Sequence, residues 1–318
     1  MKKTIVILMF CIVYFWTVNA YGDWWAEADA GNELDQRMVS PSENRLAPPS
    51  SAVRVNWVDE YVEVMAGGTA DPDRVISEAH AVSVATKTAR HLAYEKLAET
   101  ISGINITSDA VYNRELMIDS NLQTSVEALI RGAQVVEERH DRLHDGSIWA
   151  QVRLGIHLQG EGNSLMASSK PWMQTNLSPE AQVTIEDPAR KAVEKLAEGQ
   201  PEAVQEEITG IIIDAGGMEV KPAMAPAIYS RNGTLIYGFH NVDEDYVVQH
   251  GLAGYAQSVE DAKNMSRVGD NPLVVKADSV RGNNSCDVVL TNEDAARISA
   301  ASMEKPFLQE CRVVFVVN

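Results

Sequence analysis

The side chains best suited to metal chemistry are two histidines four residues apart, His140 and His144, each followed by an aspartate. On a helix, this spacing would direct both imidazoles toward one metal ion. The second aspartate is followed by Gly146, however, and an Asp-Gly pair between two strand-like segments is a strong hairpin signal. On a hairpin, the two histidines lie along one strand and its turn. We therefore predict a solvated hairpin and no metal site.

The other groups that could act chemically lack the pattern that each chemistry needs. The acidic run 243–245 has neither the alternating oxygen ligands nor the turn glycine of a calcium loop, so we predict a solvated loop there. The glycine pairs 67–68 and 216–217 form no dinucleotide or phosphate-loop pattern. No Gly-x-Ser-x-Gly nucleophile motif occurs. We therefore predict no catalytic residue, no cofactor and no enzymatic activity.

The N-terminus has the three parts of a secretory signal peptide. Lys2 and Lys3 precede an almost wholly apolar run, 4–17, and small residues then occupy the positions that a signal peptidase reads. The apolar run is shorter than the ~20 residues that span a bilayer. We predict cleavage between Ala20 and Tyr21, export to a bacterial periplasm, and no transmembrane segment in the mature chain. An uncleaved membrane anchor is the alternative.

Signal cleavage would remove Cys11 and leave Cys286 and Cys311 as the cysteines of the mature chain. An even pair in an oxidising compartment is a disulfide candidate. Each of the two precedes an apolar segment that we predict to be a strand, and a helix is predicted between these strands. If the strands are parallel neighbours, the cysteines lie side by side, so we predict a disulfide. Two buried free thiols are the alternative.

Hydrophobic periodicity predicts that the first domain, residues 53–160, is a sheet with helices packed on it. The segment 147–158 alternates apolar and polar side chains, which predicts a half-buried strand with Gln151 and Arg153 facing away from the core. Another strand is expected to end at the glycine pair 67–68. An alanine-rich stripe along a long helix indicates close packing on the sheet. The predicted strands are 61–66, 104–112, 134–143 and 147–158, and the predicted helices are 71–101 and 116–130.

Composition divides the rest of the chain into four parts. These are a signal peptide at 1–20, a flexible N-terminal segment at 21–52, a connector at 161–206 with a short helix near 188–198, and a second domain at 207–318. The strands predicted in the second domain are 209–214, 227–229, 234–237, 273–280, 287–290 and 312–317, and the predicted helices are 255–265 and 292–302. The predicted fold class is α+β, with two small domains.

Several segments of the first domain resemble a known family. They are the run 62–68, the alanine-rich helix through Ala85, Ala89 and Ala93, the segment 103–106 and the turn at Asp145-Gly146. They resemble the N-terminal domain of flagellar assembly protein T and of related LPP-type outer-membrane lipoproteins. The resemblance implies an α/β module of the periplasm or outer membrane without enzyme chemistry, which in the flagellar proteins builds a ring around the basal body. This chain departs from the lipoproteins in the signal for lipid attachment. That signal has a small residue just before the cysteine, whereas here the bulky Phe10 precedes Cys11.

Composition and charge narrow the classes of partner. The hydrophobic fraction of 45% is enough to bury a core, and the formal net charge of −18 disfavours nucleic acid and anionic lipid surfaces. We therefore predict a structural or assembly protein of the cell envelope. Its expected partners are other envelope or flagellar proteins, or further copies of the chain in a ring. The alternatives are a periplasmic binding module whose second domain holds a ligand or envelope polymer, and an enzyme of an unrecognised type.

Overall fold

The computed structural model describes residues 51–71, 74–112, 119–177 and 207–317. All of them lie in one compact unit, Pro48–Asn318. They form an α+β fold of two domains, which confirms the predicted fold class. The predicted signal peptide, nearly all of the segment 21–52 and the predicted helix near 188–198 lie outside the described residues.

The first domain is built on an antiparallel sheet of four strands in the order β1-β2-β4-β3. The strands are β1 (Ser51–Asn56), β2 (Tyr61–Ala70), β3 (Gln134–Arg142) and β4 (Ile148–His157). The helices are α1 (Glu78–Ile101), α2 (Ser120–Arg131) and α3 (Leu165–Asn176). The first, third and fourth predicted strands and both predicted helices are therefore confirmed in kind, with shifted ends.

Helix α1 packs closely on the sheet because its inner face is made mainly of alanine. Its buried residues are Ala81, Ala85, Ala89, Ala93, Leu97 and Ile101. A Cβ atom at Gly68 would lie 2.5 Å from both the Ala85 oxygen and the Ala89 nitrogen. Strand β2 continues to Ala70, beyond the glycine pair 67–68, so our prediction that this pair ends the strand is wrong. At Gly68 the absence of a side chain lets the helix approach.

Two elements of this part of the chain had no counterpart in the sequence predictions. Strand β1 pairs with β2 from Ser51↔Ala66 to Asn56↔Tyr61. Helix α3 lies in the segment predicted to be a connector, and it contains Pro171. It buries Leu165, Met166 and Met173, so apolar burial offsets the backbone hydrogen bond that proline cannot donate.

The second domain contains two sheets of four strands. The parallel sheet has the order β8-β12-β5-β9, and the mixed sheet has the order β10-β11-β6-β7. The strands are β5 (Gly210–Asp214), β6 (Ile228–Ser230), β7 (Leu235–Tyr237), β8 (Gly254–Ala256), β9 (Pro272–Lys276), β10 (Ser279–Arg281), β11 (Asp287–Leu290) and β12 (Val313–Val316). The helices are α4 (Glu244–His250), α5 (Val259–Asn264) and α6 (Asn292–Glu304), with 3₁₀ turns at Phe239–Asn241 and Ser266–Val268.

Most of the strands predicted in this domain are confirmed, and two segments are corrected. The predicted strand 273–280 is two strands, β9 and β10, in different sheets. Between them the Ala277 N–H bonds to the Asp214 oxygen, while the Asp278 N–H bonds to the Val289 oxygen. The predicted helix 255–265 begins as strand β8, because Tyr255 pairs with Phe315 of the central strand β12.

The largest hydrophobic core is continuous between the domains. It includes Val64 and Leu154 of the first sheet together with Ile213 and Phe315 of the parallel sheet, and these four side chains are fully buried or nearly so. Among the described residues, no helix combines the length and apolar character that crossing a membrane requires.

Candidate functional site: the contacts between the two domains

The hairpin that carries His140 and His144 is held by its own turn. The Asp145 carboxylate accepts hydrogen bonds from the Ser147 N–H (2.9 Å) and hydroxyl (2.6 Å), and these bonds lower the pKa of Asp145. Both histidines are exposed. Within the described residues, no group of three or more histidine, cysteine or acidic side chains could hold a metal ion.

The acidic run 243–245 begins a helix rather than lying in a loop. The Asp243 carboxylate accepts a hydrogen bond from the Asp245 N–H (2.8 Å), so Asp243 is the N-cap of α4. The Asp243 N–H is itself bonded to the Gln309 oxygen (3.0 Å). The predicted loop is therefore wrong, and a helix-capping role explains an aspartate at this position.

The structure does not bring the two cysteines together. Cys286 precedes β11, whose neighbours are β10 and β6, whereas Cys311 precedes β12, whose neighbours are β5 and β8. The premise that these strands are adjacent is therefore wrong, and both thiols are free and buried. Burial raises the pKa of Cys286 to about 12 and that of Cys311 to about 11, so both thiols are protonated at neutral pH.

The first cluster of buried polar groups joins the domains through one arginine. The Arg267 side chain is 10% exposed, and its Nη2 donates to Glu60 Oε1 (3.1 Å) and to Gln159 Oε1 (3.2 Å) in the first domain. The same guanidinium also donates to three main-chain oxygens of its own domain, those of His250, Gly251 and Cys311. We call this cluster the Arg267 contact.

Two turns of the first domain deliver the acceptors of the Arg267 contact. Glu60 lies in the turn between β1 and β2 with a φ of 57°, and its main-chain oxygen accepts a hydrogen bond from the Leu158 N–H (2.8 Å). Gln159 follows β4, and its Nε2 donates to the Ala253 oxygen (3.3 Å). Burial raises the pKa of Glu60 even though the adjacent Arg267 favours the charged carboxylate. Arg267 therefore favours the ionised form of Glu60, against the larger effect of burial.

The second polar contact uses the segment that follows α1. It was predicted to be a strand from 104 to 112, but only one bridge, Asn105↔Val111, is formed within it. Main-chain oxygens of the segment instead accept hydrogen bonds from the second domain. Met224 N–H bonds to Asn105 (2.9 Å), Ala225 N–H to Ile106 (2.7 Å) and Asn284 N–H to Ser108 (2.8 Å). The predicted strand is therefore a docking loop, which we call loop 104–112.

Ser108 is the most enclosed polar residue of loop 104–112, with 1% of its surface exposed. Its hydroxyl donates to the Arg281 oxygen (3.1 Å) and accepts from the Asp287 N–H (2.9 Å). Gly282 lies against it with a φ of +86°, and a Cβ atom there would lie 2.1 Å from the Ser108 Cβ. The loop can therefore dock only because residue 282 has no side chain.

A buried carboxyl group lies beside this loop. Asp287 is 7% exposed and accepts a hydrogen bond from the Ala227 N–H (2.9 Å). Burial raises the pKa of Asp287 to about 6, against the opposing effects of this bond and of Arg281. A carboxyl group of this kind carries a proton over a higher pH range than an exposed aspartate does, so we expect the stability of the protein to depend on pH through Asp287.

The sheet face opposite α1 corrects one more expectation. Gln151 and Arg153 lie on that face as predicted, but they are only 2% and 6% exposed, so β4 is buried on both faces. Arg153 lies 3.8 Å from Glu63 Oε1 and 3.3 Å from Glu137 Oε2, and Gln151 Oε1 accepts from Arg139 Nε (2.6 Å). Alternation of residue types predicted which face each residue occupies but not how deeply that face is buried.

Sequence patterns carried little sign of the interdomain residues. Arg267 follows a short helix without any motif, and Glu60 is one acid in a turn. Ser108 lay inside a segment whose apolar residues Ile104 and Ile106 suggested a strand, and both of these are indeed buried. The one available signal was Gly282 with two asparagines after it, a combination that favours turns and close backbone approach.

Comparison with known proteins is informative for the second domain. No curated protein gives a significant match to the chain. Residues 210–318 match the family model described as Treponema pallidum Tp0624, second domain, and this span contains every strand of the second domain. The C-terminal part of the chain is therefore similar to the second domain of Tp0624.

Proposed function

We propose that the protein is a non-enzymatic structural or assembly protein of the bacterial cell envelope that is exported to the periplasm. The observation that carries the proposal is that enclosed polar side chains are paired across the boundary between the two domains. Arg267, Gln159 and Ser108 all form hydrogen bonds that cross between the domains. Burying such groups costs free energy unless they are paired, so pairing them across an interface favours one fixed arrangement of the domains. A fixed two-domain body suits a structural component.

A finer form of the proposal places the protein at the outer-membrane face of a flagellar ring. It is supported by the resemblance of residues 53–160 to the N-terminal domain of flagellar assembly protein T. The partners would be other envelope or flagellar proteins, or copies of the same chain. The net charge of −18 agrees with protein partners rather than nucleic acid.

Location in the native host tests both forms of the proposal. Periplasmic extracts, membrane fractions and purified flagellar basal bodies from cells with and without the gene would be probed with an antibody against the full chain. The general form expects the protein in the periplasmic or outer-membrane fraction, with an N-terminus at Tyr21 by sequencing. The finer form expects it in basal bodies and expects a motility defect without it. A cytoplasmic protein that still begins at Met1 would overturn both.

A binding role for the second domain is the other candidate. Arg231 and Thr291 follow the parallel strands β6 and β11, and the Arg231 N–H bonds to the Leu290 oxygen (2.9 Å). Ligands of open α/β sheets bind at the carboxyl ends of such strands. Soluble peptidoglycan fragments would be added to the purified mature chain in a thermal unfolding assay. An increase in melting temperature that Arg231→Met abolishes would favour this role over the structural one.

A further inference from the structure

Strand β1 offers an open edge for pairing. It lies at the end of the sheet order β1-β2-β4-β3 and pairs on one side with β2. Among the described residues, no strand pairs with its outer edge. The main-chain N–H and C=O groups along such an edge can pair with an added strand.

A cleft lies beside this edge, where α1 overhangs the sheet. It has a volume of about 260 Å³ and is lined by Ser51, Ala66, Leu92, Glu95, Lys96 and Glu99. Strand register places Val53 on the same side of the sheet as Ser51, because these residues pair with Val64 and Ala66. Val53 and Leu92 are 42% and 40% exposed, so each has apolar surface that an added side chain could cover.

The charges around the cleft indicate which side chains it would accept. Glu95 and Glu99 are one helical turn apart, with side chains 64% and 71% exposed. Lys96 lies 2.9 Å from Glu99, whereas the described ion-pair partner of Glu95 is His91 at 3.7 Å, which is charged only when protonated. The cleft lining has two carboxylates and one ammonium group, an excess of one negative charge, and a lysine or arginine of an added strand would complement it.

A second copy of this chain does not supply that charge. A copy of β1 placed along the open edge would direct either Ser51, Val53 and Val55 or the opposite set, Ala52, Arg54 and Asn56, toward α1. The first set has no charge, and the second has one cation with no large apolar side chain for Val53 and Leu92. The cleft combines apolar surface with two carboxylates, so an unrelated segment that alternates apolar and basic residues on one face matches it better.

We propose that the outer edge of β1 binds an extended segment of another protein as an added strand. The side chains of this segment that face α1 are apolar and basic, and they meet Val53, Leu92, Glu95 and Glu99. The source of the segment, another envelope protein, rests on the proposed function. The binding of such a segment at the strand edge and cleft does not depend on the proposed function.

The proposal is tested with a fluorescent peptide of about eight residues, a common strand length. The side chains on one face of the peptide are alternately valine and lysine, and every side chain on the other face is threonine. Binding to the purified mature chain is followed by fluorescence anisotropy. A peptide with glutamate in place of lysine is expected to bind about tenfold more weakly, given two exposed charge pairs.

A charge exchange distinguishes this site from unspecific attraction. Glu95→Lys combined with Glu99→Lys should lose the lysine peptide and gain the glutamate peptide, while circular dichroism and melting temperature stay close to those of the original chain. Matched reversal of two other exposed acids, Glu260→Lys with Glu293→Lys, should leave the preference unchanged. Leu92→Gln and a peptide with central prolines should each abolish binding, since one removes apolar surface without adding charge and the other removes main-chain donors.

Three results would overturn the proposal. The first is a peptide preference that does not reverse in the Glu95/Glu99 variant, and the second is equal binding of the proline peptide. The third is a concentration-dependent dimer in analytical ultracentrifugation that Leu92→Gln disrupts, because it would assign the edge to a second copy. None of them bears on cellular location, so failure here and failure of the proposed function are separate results.

Discussion

The two polar contacts between the domains use different chemistry. In the Arg267 contact, one buried side chain reaches five acceptors from both domains. In the contact made by loop 104–112, the hydrogen bonds are spread along the loop: three join main-chain groups and five involve a side chain, and Gly282 provides the space for the close approach. The first contact therefore depends on the identity of one residue, whereas the second depends on how closely two backbones approach.

The apolar core and the polar contacts make different contributions: the core holds the two domains together, and the polar contacts fix their relative orientation. Apolar burial is roughly proportional to area and has no direction, so the shared core favours contact between the domains without fixing their angle. Hydrogen bonds have strict distances and angles, so the two polar contacts fix the arrangement. Substitutions that remove either contact should therefore affect stability and also the cooperativity of unfolding.

The largest effect is expected for Arg267→Met, which breaks the side-chain contact. It removes a guanidinium that is 10% exposed, and it leaves the half-buried Glu60 without its cation and four other acceptors without their donor. We expect a loss of about 3–5 kcal/mol of the free energy of unfolding, the range for removing one partner of a buried ion pair. Urea denaturation monitored by tryptophan fluorescence and by circular dichroism would measure this loss. We also expect the two transitions to coincide in the original chain and to separate in the variant, because the domains are less tightly coupled there.

Arg231→Met is the matched control for Arg267→Met. Arg231 also pairs with a carboxylate, that of Asp278, but its side chain is 61% exposed and both residues belong to the second domain. Exposed pairs contribute about 0–1 kcal/mol, so this variant should unfold almost as the original chain does. Equal losses for the two variants would show that burial between the domains has no special role.

The second largest effect is expected for Gly282→Ala in the contact made by loop 104–112. The new Cβ would meet the Ser108 Cβ at 2.1 Å, so the loop must move away. We expect a loss of about 2–4 kcal/mol from overpacking and from the positive φ. Ser108→Gly alone loses two hydrogen bonds to the second domain, but the double variant should lose less in chemical denaturation than the sum of the two single losses, because the clash disappears. Additive losses in the double variant would contradict this explanation.

A smaller effect with a defined pH dependence is expected for Asp287→Asn. The pKa of Asp287 is raised to about 6 by burial, so the folded protein binds its proton more tightly than the unfolded chain does. The resulting destabilisation is absent below pH ~4 and complete above pH ~6, where it amounts to about 3 kcal/mol or less. The asparagine variant should therefore match the original chain at pH 4 and exceed its melting temperature at pH 8. A difference that is independent of pH would contradict the assignment.

Local patterns predicted the elements better than they predicted the contacts between them. The alanine stripe of α1 and the Asp145-Gly146 hairpin each follow from residues close in sequence, and both are present. Loop 104–112 has the apolar pattern of a strand, but its peptide groups pair with residues more than a hundred positions away. The cysteine prediction failed for a similar reason, because the sheet to which a strand belongs is not a local property.

The smallest effect is expected for Gly146→Ala, which is the closest control for Gly282→Ala. The two glycines have nearly the same φ, +83° and +86°, but no atom lies within 4 Å of the Cβ position at Gly146. Only the conformational cost of a left-handed alanine applies there, roughly 1 kcal/mol. If thermal unfolding shows equal losses for the two variants, positive φ alone explains both, and the close approach at Ser108 contributes little. A loss at Gly282 at least twice as large would assign the difference to docking of loop 104–112.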